Sequence, residues 1–585
     1  MEHQSIERCS HGLNGKVLCS KEGKVIQSSI ESTRKEVVAE NGVVAGGHDL
    51  VAQTGVDIMQ QGGNAIDAGV AAAFVAQLAE PGMCGVGGNG IICVYSADKD
   101  ETTIFDDTTV PPAAATPDMF ELLPGQGGFY GWENVRDDAN IIGHKSVAIP
   151  GTVAGLCSVL ARYGTMDIKD ILAPAIELAE TGVEVDTRTT VTIARAMKHF
   201  HQFPLLGKLY LIDGLPPAPG TFWTPGDKLR YPELVDTYRA IAKEGPNAFY
   251  KGKIAEAIAA EIVRGGGILT YDDLANYESD TRELQEEHFG EYRGLRYTPG
   301  DSNFLTQTLN ILENFDLPRF GPDSPTYRHL VLETMRRAWV NYFAFPREPG
   351  LLSKDYAAEV ASRIRLDKAR QDVQPVSPAP YQGDEPPESV LESAKSVGGH
   401  DTTTLAVADR AGNVFNMLTS LGNAFGSYVA IPDTGIVMND HMCNFDPVPG
   451  RPLSLGSTRR PPRGAHVPIF FRNGKPFLAV DAPGARRSMS GVVHALIHYI
   501  DFDMDIQSAM EAPRVWAEAL YEESFLESHI PEDVQRALGD MGHHVVSMDA
   551  AASGGFGRPT GVSIDEDGTL HAGADPLYGT GVAGF

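Results

Sequence analysis

At 585 residues the chain is too long for one ordinary hydrophobic core, which predicts two or more packing units or one very large layered unit. Apolar residues make up 42% and charged residues 21%, which excludes a largely disordered chain and a coiled coil. The 48 basic and 77 acidic residues leave a net charge of −29, and a surface this negative repels nucleic-acid phosphates and anionic lipid. We therefore expect neither nucleic acid nor a membrane as a partner.

The N-terminal residues and the apolar stretches bear on where in the cell the protein is found. Residues 1–34 are polar and aperiodic, which predicts a loosely held tail without the apolar segment of a secretory signal. The most apolar stretch, residues 68–76, is about half the length needed to cross a bilayer. The six cysteines are scattered and form no CxxC pair. We expect a cytoplasmic protein.

The region 35–370 reads as a series of helices that follow a short strand at 43–45. Helical spacing predicts helices over 48–60, 65–79, 155–163, 168–181, 254–263 and 323–344. Asn64 is a typical N-cap for the second of these, which is apolar on almost every face and so predicts a buried helix. The helix over 323–344 places Tyr327, Met335 and Trp339 on one side, which indicates a core stripe.

The glycine-rich segment Gly85-Val86-Gly87-Gly88-Asn89-Gly90 fits the spacing of a dinucleotide loop. That motif requires a strand before it and a helix after it, whereas here a helix precedes and a strand at 91–95 follows. We therefore interpret the glycines as allowing close backbone approach beside the strand.

Composition changes sharply at residue 371. Residues 371–388 are rich in Pro, Gln and acidic side chains, which predicts an exposed linker that runs on to residue 401. Alternating residues then predict a β-hairpin over 402–409 and 414–419, with further strands at 436–439, 468–471, 477–480 and 561–564. Helices are predicted over 489–499 and 506–512. Hairpins with helices outside them indicate an α+β fold of stacked sheets covered by helices, an αββα sandwich.

No HExxH, paired CxxC, P-loop or GxSxG motif is present. The segment Gly398-Gly399-His400-Asp401-Thr402-Thr403-Thr404 taken alone reads as a loop entering a strand. Its position after a linker and at the start of a hairpin unit is what an N-terminal-nucleophile hydrolase requires. There the chain is cut before a Ser, Thr or Cys, and the freed α-amine, with a pKa near 7.7–8.0, accepts the hydroxyl proton.

Several blocks resemble the γ-glutamyltransferase family of N-terminal-nucleophile hydrolases, from about residue 37 to the C-terminus. They include GGNAIDAGVAA, SVAIPGTVAGL, GGILTYDDLANY, DTTTLAVADRAGNV, PDTGIVMND and DAPGARR. The resemblance implies a four-layer αββα sandwich made as one precursor that cuts itself. The large-subunit region would be 35–370, the linker 371–401 and the small subunit 402–585. These subunits would be each other's partners, the substrate a small-molecule amide, and a homodimer of processed heterodimers stays open. No metal or organic cofactor is implied.

By resemblance the nucleophile is Thr402 and the cleavage lies between Asp401 and Thr402, although Thr403 and Thr404 leave the assignment open by a residue or two. Ser420 fills the place of a second, supporting hydroxyl. The family's oxyanion hole consists of adjacent N–H groups in a Pro-Gly-Gly turn, which here is Pro483-Gly484-Ala485. Main-chain donors tolerate Ala in the second position if the backbone permits.

The residues that hold the glutamyl group in the family differ in this chain. Thr108 stands where the family has an arginine, Arg463 and Gly464 where it has a serine pair, and Asn444 where it has an aspartate. A glutamine is replaced by His441 and an asparagine by Gly422, with Asn423 next to it able to take that role. Our hypothesis is a substrate whose acyl part bears a carboxylate held by Arg463, with no essential α-ammonium group.

Three readings of the function remain open. The first is a threonine amidohydrolase or acyltransferase acting on γ-glutamyl amides such as glutathione, with water or an amine as acceptor. The second is an amidohydrolase of the oxamate or cephalosporin-acylase kind with an altered substrate clamp. The third belongs to another class, an unprocessed and inactive relative that serves as a binding or scaffold protein.

Overall fold

The computed structural model describes residues 33–126, 132–297, 302–345, 348–383, 401–451, 453–456, 467–519, 522–549 and 555–585. Its strands are, in chain order, β1 (Val37–Ala39), β2 (Gly42–Gly46), β3 (Asn89–Ser96), β4 (Glu101–Asp107), β5 (Leu122–Gln126), β6 (Glu133–Val135), β7 (Val183–Glu184), β8 (Lys228–Leu229), β9 (Asp280–Arg282), β10 (Leu284–Phe289), β11 (Tyr292–Tyr297), β12 (Asp401–Asp409), β13 (Val414–Gly422), β14 (Ala430–Ile431), β15 (Ile436–Val437), β16 (Ile469–Arg472), β17 (Lys475–Asp481), β18 (Val515–Trp516), β19 (Glu523–Glu527), β20 (His544–Met548), β21 (Thr560–Ile564), β22 (Leu570–Ala574) and β23 (Gly581–Gly584).

The α-helices are α1 (Asp49–Gln60), α2 (Ala65–Ala79), α3 (Thr152–Tyr163), α4 (Ile168–Thr181), α5 (Thr187–Phe200), α6 (Pro204–Tyr210), α7 (Pro232–Glu244), α8 (Pro246–Tyr250), α9 (Lys253–Arg264), α10 (Tyr271–Ala275), α11 (Ser302–Leu312), α12 (Pro325–Ala344), α13 (Lys354–Ser362), α14 (Ser488–Ile500), α15 (Ile506–Glu511) and α16 (Glu532–Asp540).

Two antiparallel seven-stranded sheets form the centre of the molecule. Sheet one has the order β23-β2-β12-β13-β3-β4-β9, and sheet two has the order β1-β22-β21-β17-β16-β11-β10. One apolar cluster lies between the sheets, a second joins sheet one to helices that include α1–α4, and a third joins sheet two to helices that include α11, α12 and α14. The predicted αββα sandwich is therefore confirmed.

Strand β12 contributes side chains to two apolar clusters, one on each face of sheet one. Side chains alternate between the faces of a strand, so every second residue shares an environment. Leu405 and Val407 belong to the cluster under the helices of sheet one, whereas Ala406 and Ala408 belong to the cluster between the sheets. The alternation of large and small residues therefore places β12 in the middle of the sandwich.

Helix α2 is buried along its whole length, as its apolar sequence predicts. The Asn64 side chain accepts hydrogen bonds from the N–H groups of Ile66 and Asp67, and the Asp67 carboxylate accepts one from the Asn64 N–H, which together form a capping box. Within the described ranges no helix, α2 included, is long and apolar enough to cross a membrane.

Helix α12 departs from the one-sided core stripe that its spacing predicts. It is buried on all sides because α11, α16 and β18 all pack against it. The buried face includes charged residues, and Glu333 neutralises Arg337 across one helical turn at 2.7 Å. Ion pairing, rather than exposure, accounts for the polar half of this sequence.

The segment after residue 370 is not the free linker that its composition predicts, as far as it is described. Val376 is buried, its N–H donates to Asn341 Oδ1, and its carbonyl accepts from the Tyr356 hydroxyl. The prediction of an exposed segment is therefore wrong at Val376 and Pro378, whereas Gln374, Ser377 and Pro380 are exposed as predicted. The rest of the predicted linker, 384–400, lies outside the described residues.

Candidate active site

Thr402 and Ser420 contact each other at the end of the central hairpin of sheet one. The two residues are directly opposite in the β12–β13 pair, and both are buried. Thr402 Oγ1 donates a hydrogen bond of 3.1 Å to Ser420 Oγ. The structure thus brings together the two hydroxyl groups that the resemblance singles out.

A β-bulge shapes this end of the hairpin. Asp401 is opposite Gly422 and Thr402 is opposite Ser420, so Leu421 is the extra residue of β13. Its N–H donates to Met83 O and its carbonyl accepts from Asp440 N, which draws it out of the β12–β13 ladder. Bulges re-aim side chains beside functional sites. Here the bulge lets the Gly422 N–H reach back to Ser420 Oγ at 2.8 Å.

The three consecutive threonines have different hydrogen-bond partners, and Thr403 lies on the face of β12 opposite that of Thr402 and Thr404. Thr403 Oγ1 donates to Glu80 on the helix side, and Thr404 Oγ1 bonds Thr560 Oγ1 of sheet two at 3.0 Å. Of the three hydroxyl groups, that of Thr402 is the one in contact with Ser420. The register therefore favours Thr402 over its two neighbours as the nucleophile.

Glu80, which the sequence did not single out, supports the same strand from behind. It follows α2, is 4% exposed, and accepts from Thr403 Oγ1 at 2.8 Å. Its other oxygen accepts from Arg188 Nη2 at 3.1 Å, which forms a largely buried ion pair. A pair of this kind holds its position because separating it would leave a buried charge uncompensated.

The glycines before β3 allow close approach, as predicted. A Cβ on Gly88 would lie 2.4 Å from Ser420 O, and one on Gly87 would lie 2.2 Å from Val437 O. Strand β13 and the 436–439 segment can therefore pack directly on this backbone only if the side chains are absent. Gly88 is thus a site residue that the spacing alone did not identify as one.

The predicted substrate-binding residue Thr108 is buried at the end of β4. Its hydroxyl donates to Asp106 Oδ1 at 2.5 Å, and the other oxygen of Asp106 accepts from Arg282 Nε at 2.9 Å. The next residue, Thr109, contacts His441 Nδ1 at 3.1 Å. The 108–109 segment is therefore joined to the predicted residue His441.

The other predicted substrate-binding residues surround the bulge. Asn423 donates to the buried carboxylate of Asp440 through both its backbone N–H and its amide, and Asp440 N donates to Leu421 O. Asn444 is fully buried and donates to His441 O at 3.1 Å. Gly422, Asn423, His441 and Asn444 thus lie in one cluster with Ser420. Asp440 is the member that the sequence reasoning missed.

Residues 483–485 form a tight turn after β17. Gly484 has φ 137° and Ala485 has φ 54°, both in the region that favours glycine. Ala at such an angle costs about 1 kcal/mol, so the backbone does permit the Ala of this chain, with some strain. Among the described residues, neither the Gly484 N–H nor the Ala485 N–H donates a hydrogen bond to another protein group.

Arg558 connects this turn to Thr402. Its side-chain Nη2 donates to Thr402 O at 3.1 Å, and its backbone N–H donates to Pro483 O at 3.3 Å. Thr560, two residues later, is opposite Asp481 in the β17–β21 pair and also contacts Thr404. The start of β12 and the end of β17 therefore lie at the same end of the sandwich.

Asp481 carries the perturbed carboxyl group nearest the turn. It is fully buried, and desolvation raises the pKa of this carboxyl to about 7, although the N–H groups of Ala482 and Val467 oppose the shift. The last residue of β17 therefore titrates near neutral pH, directly before Pro483.

Two predicted residues, Arg463 and Gly464, lie outside the described residues. In the described ranges no group of three or more His, Cys, Asp or Glu side chains is arranged to hold a metal ion. The described site thus consists of hydroxyl groups, backbone donors and buried charges.

Comparison with known proteins identifies the family of the chain. The family model for gamma-glutamyltranspeptidase matches residues 51–585. The chain is 31% identical to the glutathione hydrolase proenzyme of Bacillus subtilis over 96% of this chain and 94% of that protein. It is 34% identical to the acylase ACY 1 proenzyme of Pseudomonas sp. (strain SE83) over 92% of each.

Solved structures have the same fold. The crystal structure of cephalosporin acylase from Bacillus halodurans superposes with a TM-score of 0.81 at 26% identity, covering 96% of this chain and 99% of that one. Gamma-glutamyltranspeptidase of Helicobacter pylori superposes with a TM-score of 0.51 at 28% identity, covering 59% of this chain and 97% of that one. The chain belongs to the gamma-glutamyltranspeptidase family of N-terminal-nucleophile hydrolases, enzymes that act on amide bonds.

Proposed function

We propose that the chain cuts itself between Asp401 and Thr402 and then uses Thr402 to cleave a small amide or transfer its acyl group. The observation that carries this proposal is the 3.1 Å contact between the hydroxyl groups of Thr402 and Ser420 at the start of β12. The proenzyme names of the similar proteins support it, since a proenzyme is a precursor that is processed.

In the proposed reaction Thr402 Oγ1 attacks the amide carbonyl carbon while its proton moves to the freed α-amine of the same residue. The resulting oxyanion accepts hydrogen bonds from the N–H groups of Gly484 and Ala485, whose typical contribution is roughly 3–4 kcal/mol of barrier each. The leaving amine takes the proton as the carbon–nitrogen bond breaks, which leaves an ester on Thr402. Water, or an acceptor amine, attacks that ester and regenerates the hydroxyl group.

The substrate we propose is an amide whose acyl part bears a carboxylate and needs no α-ammonium group. Asn444, which is neutral where the family has a carboxylate, supports the absence of an essential α-ammonium group. The carboxylate part of the proposal rests on Arg463, since Thr108 offers no positive charge in the place of the family's arginine. A missing charge-assisted contact is worth about 1.5–3 kcal/mol. γ-Glutamyl amides are the second candidate, supported by the 31% identity to a glutathione hydrolase.

Intact mass of freshly purified protein, with Thr402→Ala and Thr402→Ser beside it, tests the cleavage. We expect fragments 1–401 and 402–585 from the wild type and from the Ser variant, and one uncut chain from the Ala variant. A wild type that stays whole after long incubation would remove Thr402 as the nucleophile and favour the scaffold reading.

Paired anilides then test the substrate. Glutaryl and γ-glutamyl p-nitroanilide differ only by the α-amino group, and we expect kcat/KM to be roughly tenfold or more higher for the glutaryl compound. Butyryl p-nitroanilide, which lacks the carboxylate, is the matched control and should be the poorest of the three. A clear preference for the γ-glutamyl compound would show that the changed residues have not removed α-ammonium recognition.

A further inference from the structure

We propose that Arg558 is a positioning residue. It holds Thr402 close to the turn formed by Pro483, Gly484 and Ala485, called the oxyanion turn below, and it keeps the Thr402 α-amine neutral near physiological pH. The inference rests on the proposed function, because the α-amine exists only after cleavage before Thr402. Arg558 contacts both the proposed nucleophile and the oxyanion turn: its side chain donates to Thr402 O and its backbone N–H donates to Pro483 O.

The contact with Thr402 brings a cation close to the proposed base. Arg558 Nη2 lies 3.1 Å from Thr402 O, and only three covalent bonds separate that oxygen from the nitrogen of the same residue. A guanidinium group is always charged in proteins. A like charge disfavours the ammonium form of the neighbouring amine and so lowers its pKa.

The other charged groups around Thr402 include some that raise the pKa of its α-amine and some that lower it. On the helix side Glu80 contacts Thr403 and is paired with Arg188, so that pair is close to neutral. Beside the bulge, Asp440 bonds Asn423. At the end of β17, the Asp481 carboxyl has a pKa of about 7 because it is buried.

Two more groups belong to this environment. The Arg487 side chain donates to Gly484 O, which belongs to the oxyanion turn, and His441 contacts Thr109 beside the bulge. The carboxylates near Thr402 raise the pKa of an ammonium group, and Arg558 opposes them from the closest position that the contacts define.

The position of Arg558 is fixed by its own surroundings. Gly557 directly before it donates to Ser490 Oγ at the start of α14, and its carbonyl accepts from the buried Arg514 at 2.8 Å. Arg514 is in turn held by Glu527 and Asp575, all three fully or almost fully buried. These contacts fix the backbone position from which the Arg558 side chain reaches Thr402 O.

The arrangement gives Arg558 two effects on the reaction. A neutral amine can take the Thr402 hydroxyl proton during attack, so holding its pKa near the working pH increases the fraction of enzyme that is ready to react. The bridge between Thr402 O and Pro483 O also keeps the nucleophile and the donors of Gly484 and Ala485 in one relative position, which matters because small misplacements cost rate.

The test compares processed wild type with Arg558→Gln, Arg558→Lys and the surface control Arg365→Gln, whose side chain is 67% exposed and paired with Asp367. The acidic limb of the pH profile of kcat/KM reports the base of the free enzyme. We expect Arg558→Gln to move this limb upward by roughly one pH unit, and Arg558→Lys and Arg365→Gln to leave it close to that of the wild type.

If Arg558→Gln is not processed, residues 1–401 can be co-expressed with residues 402–585 behind a removable initiator Met, and the same profile measured. An active Arg558→Gln enzyme with an unmoved limb, or a Lys variant that moves as far as the Gln variant, overturns the inference. Either result leaves the proposed function intact, whereas an uncut wild type or an active Thr402→Ala enzyme would defeat the proposed function itself.

Discussion

Ser420 Oγ accepts hydrogen bonds from two neighbours. One comes from Thr402 Oγ1 at 3.1 Å and the other from the Gly422 N–H at 2.8 Å. The Gly422 contact fixes where the Ser420 oxygen lies, and that oxygen in turn fixes the rotamer of Thr402. In the proposed mechanism, the Ser420 hydroxyl therefore orients Thr402 before any substrate binds.

Replacing Ser420 by Ala should lower kcat roughly tenfold, because one orienting hydrogen bond is worth about 1 kcal/mol or slightly more. Ser420→Thr keeps the hydroxyl group and is the matched control, which should retain most of the activity. Steady-state kinetics on processed enzyme, with thermal stability measured in parallel, separates the effect from unfolding. Equal kcat in the Ala variant and the wild type would contradict the orienting role.

The family pattern predicted Thr402 and Ser420 from the sequence, but it left the choice among three threonines open. The hydrogen bonds favour Thr402, because its hydroxyl donates to Ser420, whereas Thr403 bonds Glu80 and Thr404 bonds Thr560. Glu80 and Arg558 could not be found in this way. They lie 323 and 156 residues from their partners in the chain, and no local spacing connects them.

At the scale of elements, the site depends on the glycine-rich segment 85–90, which packs against the bulged end of β13. Gly88 lies against Ser420 O, and its carbonyl accepts from Gly151 N at 2.9 Å. The segment thus connects β13 to the start of α3. The absence of a side chain at Gly88 lets three pieces of backbone meet beside Ser420.

Gly88→Ala should reduce both self-cleavage and activity, because the new Cβ would lie 2.4 Å from Ser420 O and one strand has to shift. Gly85→Ala in the same segment is the matched control, since its Cβ would meet only the Leu421 side chain at an ordinary 3.6 Å. The cleaved fraction by intact mass, together with kcat, is the readout. Two variants with the same activity would show that Ser420 tolerates the shift.

Helix prediction succeeded where periodicity and length were both strong, as for α2 and α4. Several strands were not predicted, among them β4 (ETTIFDD) and β10 (LQEEHF). Both carry polar residues at many positions. Their strand conformation comes from pairing with neighbours in the two sheets, and β propensity of this kind depends on context more than on the residues themselves.

At the scale of the whole molecule, the sandwich buries a titratable carboxyl group in its interior. Asp481 lies at the end of β17 with Ala482 N at 2.7 Å and Val467 N at 3.3 Å from its two oxygens. Its pKa of about 7 lies above the value of about 3.9 for an unfolded Asp, because desolvation disfavours the charged form.

A raised pKa of this kind makes folding stability depend on pH. The contribution of Asp481 is fully present below about pH 3.9 and is lost as the pH rises through about 7, since the folded state then has to bury a carboxylate. Asp481→Asn should remove this dependence. We expect the thermal midpoint of the wild type to fall more between about pH 5 and about pH 9 than that of the variant. Parallel curves would contradict the buried neutral carboxyl.

The sequence by itself determined the layered αββα fold, the buried α2, the central hairpin and the family, because these depend on local periodicity and on motifs contiguous in the chain. Only the tertiary structure decided which threonine meets Ser420, that Gly88 packs against Ser420, that Glu80 bonds Thr403 and that Arg558 bonds Thr402. It also showed that α12 is buried on every face and that Val376 is packed. The physical reason is the same in each case: these contacts form between elements distant in the chain, and they exist only once both sheets and their helices have come together.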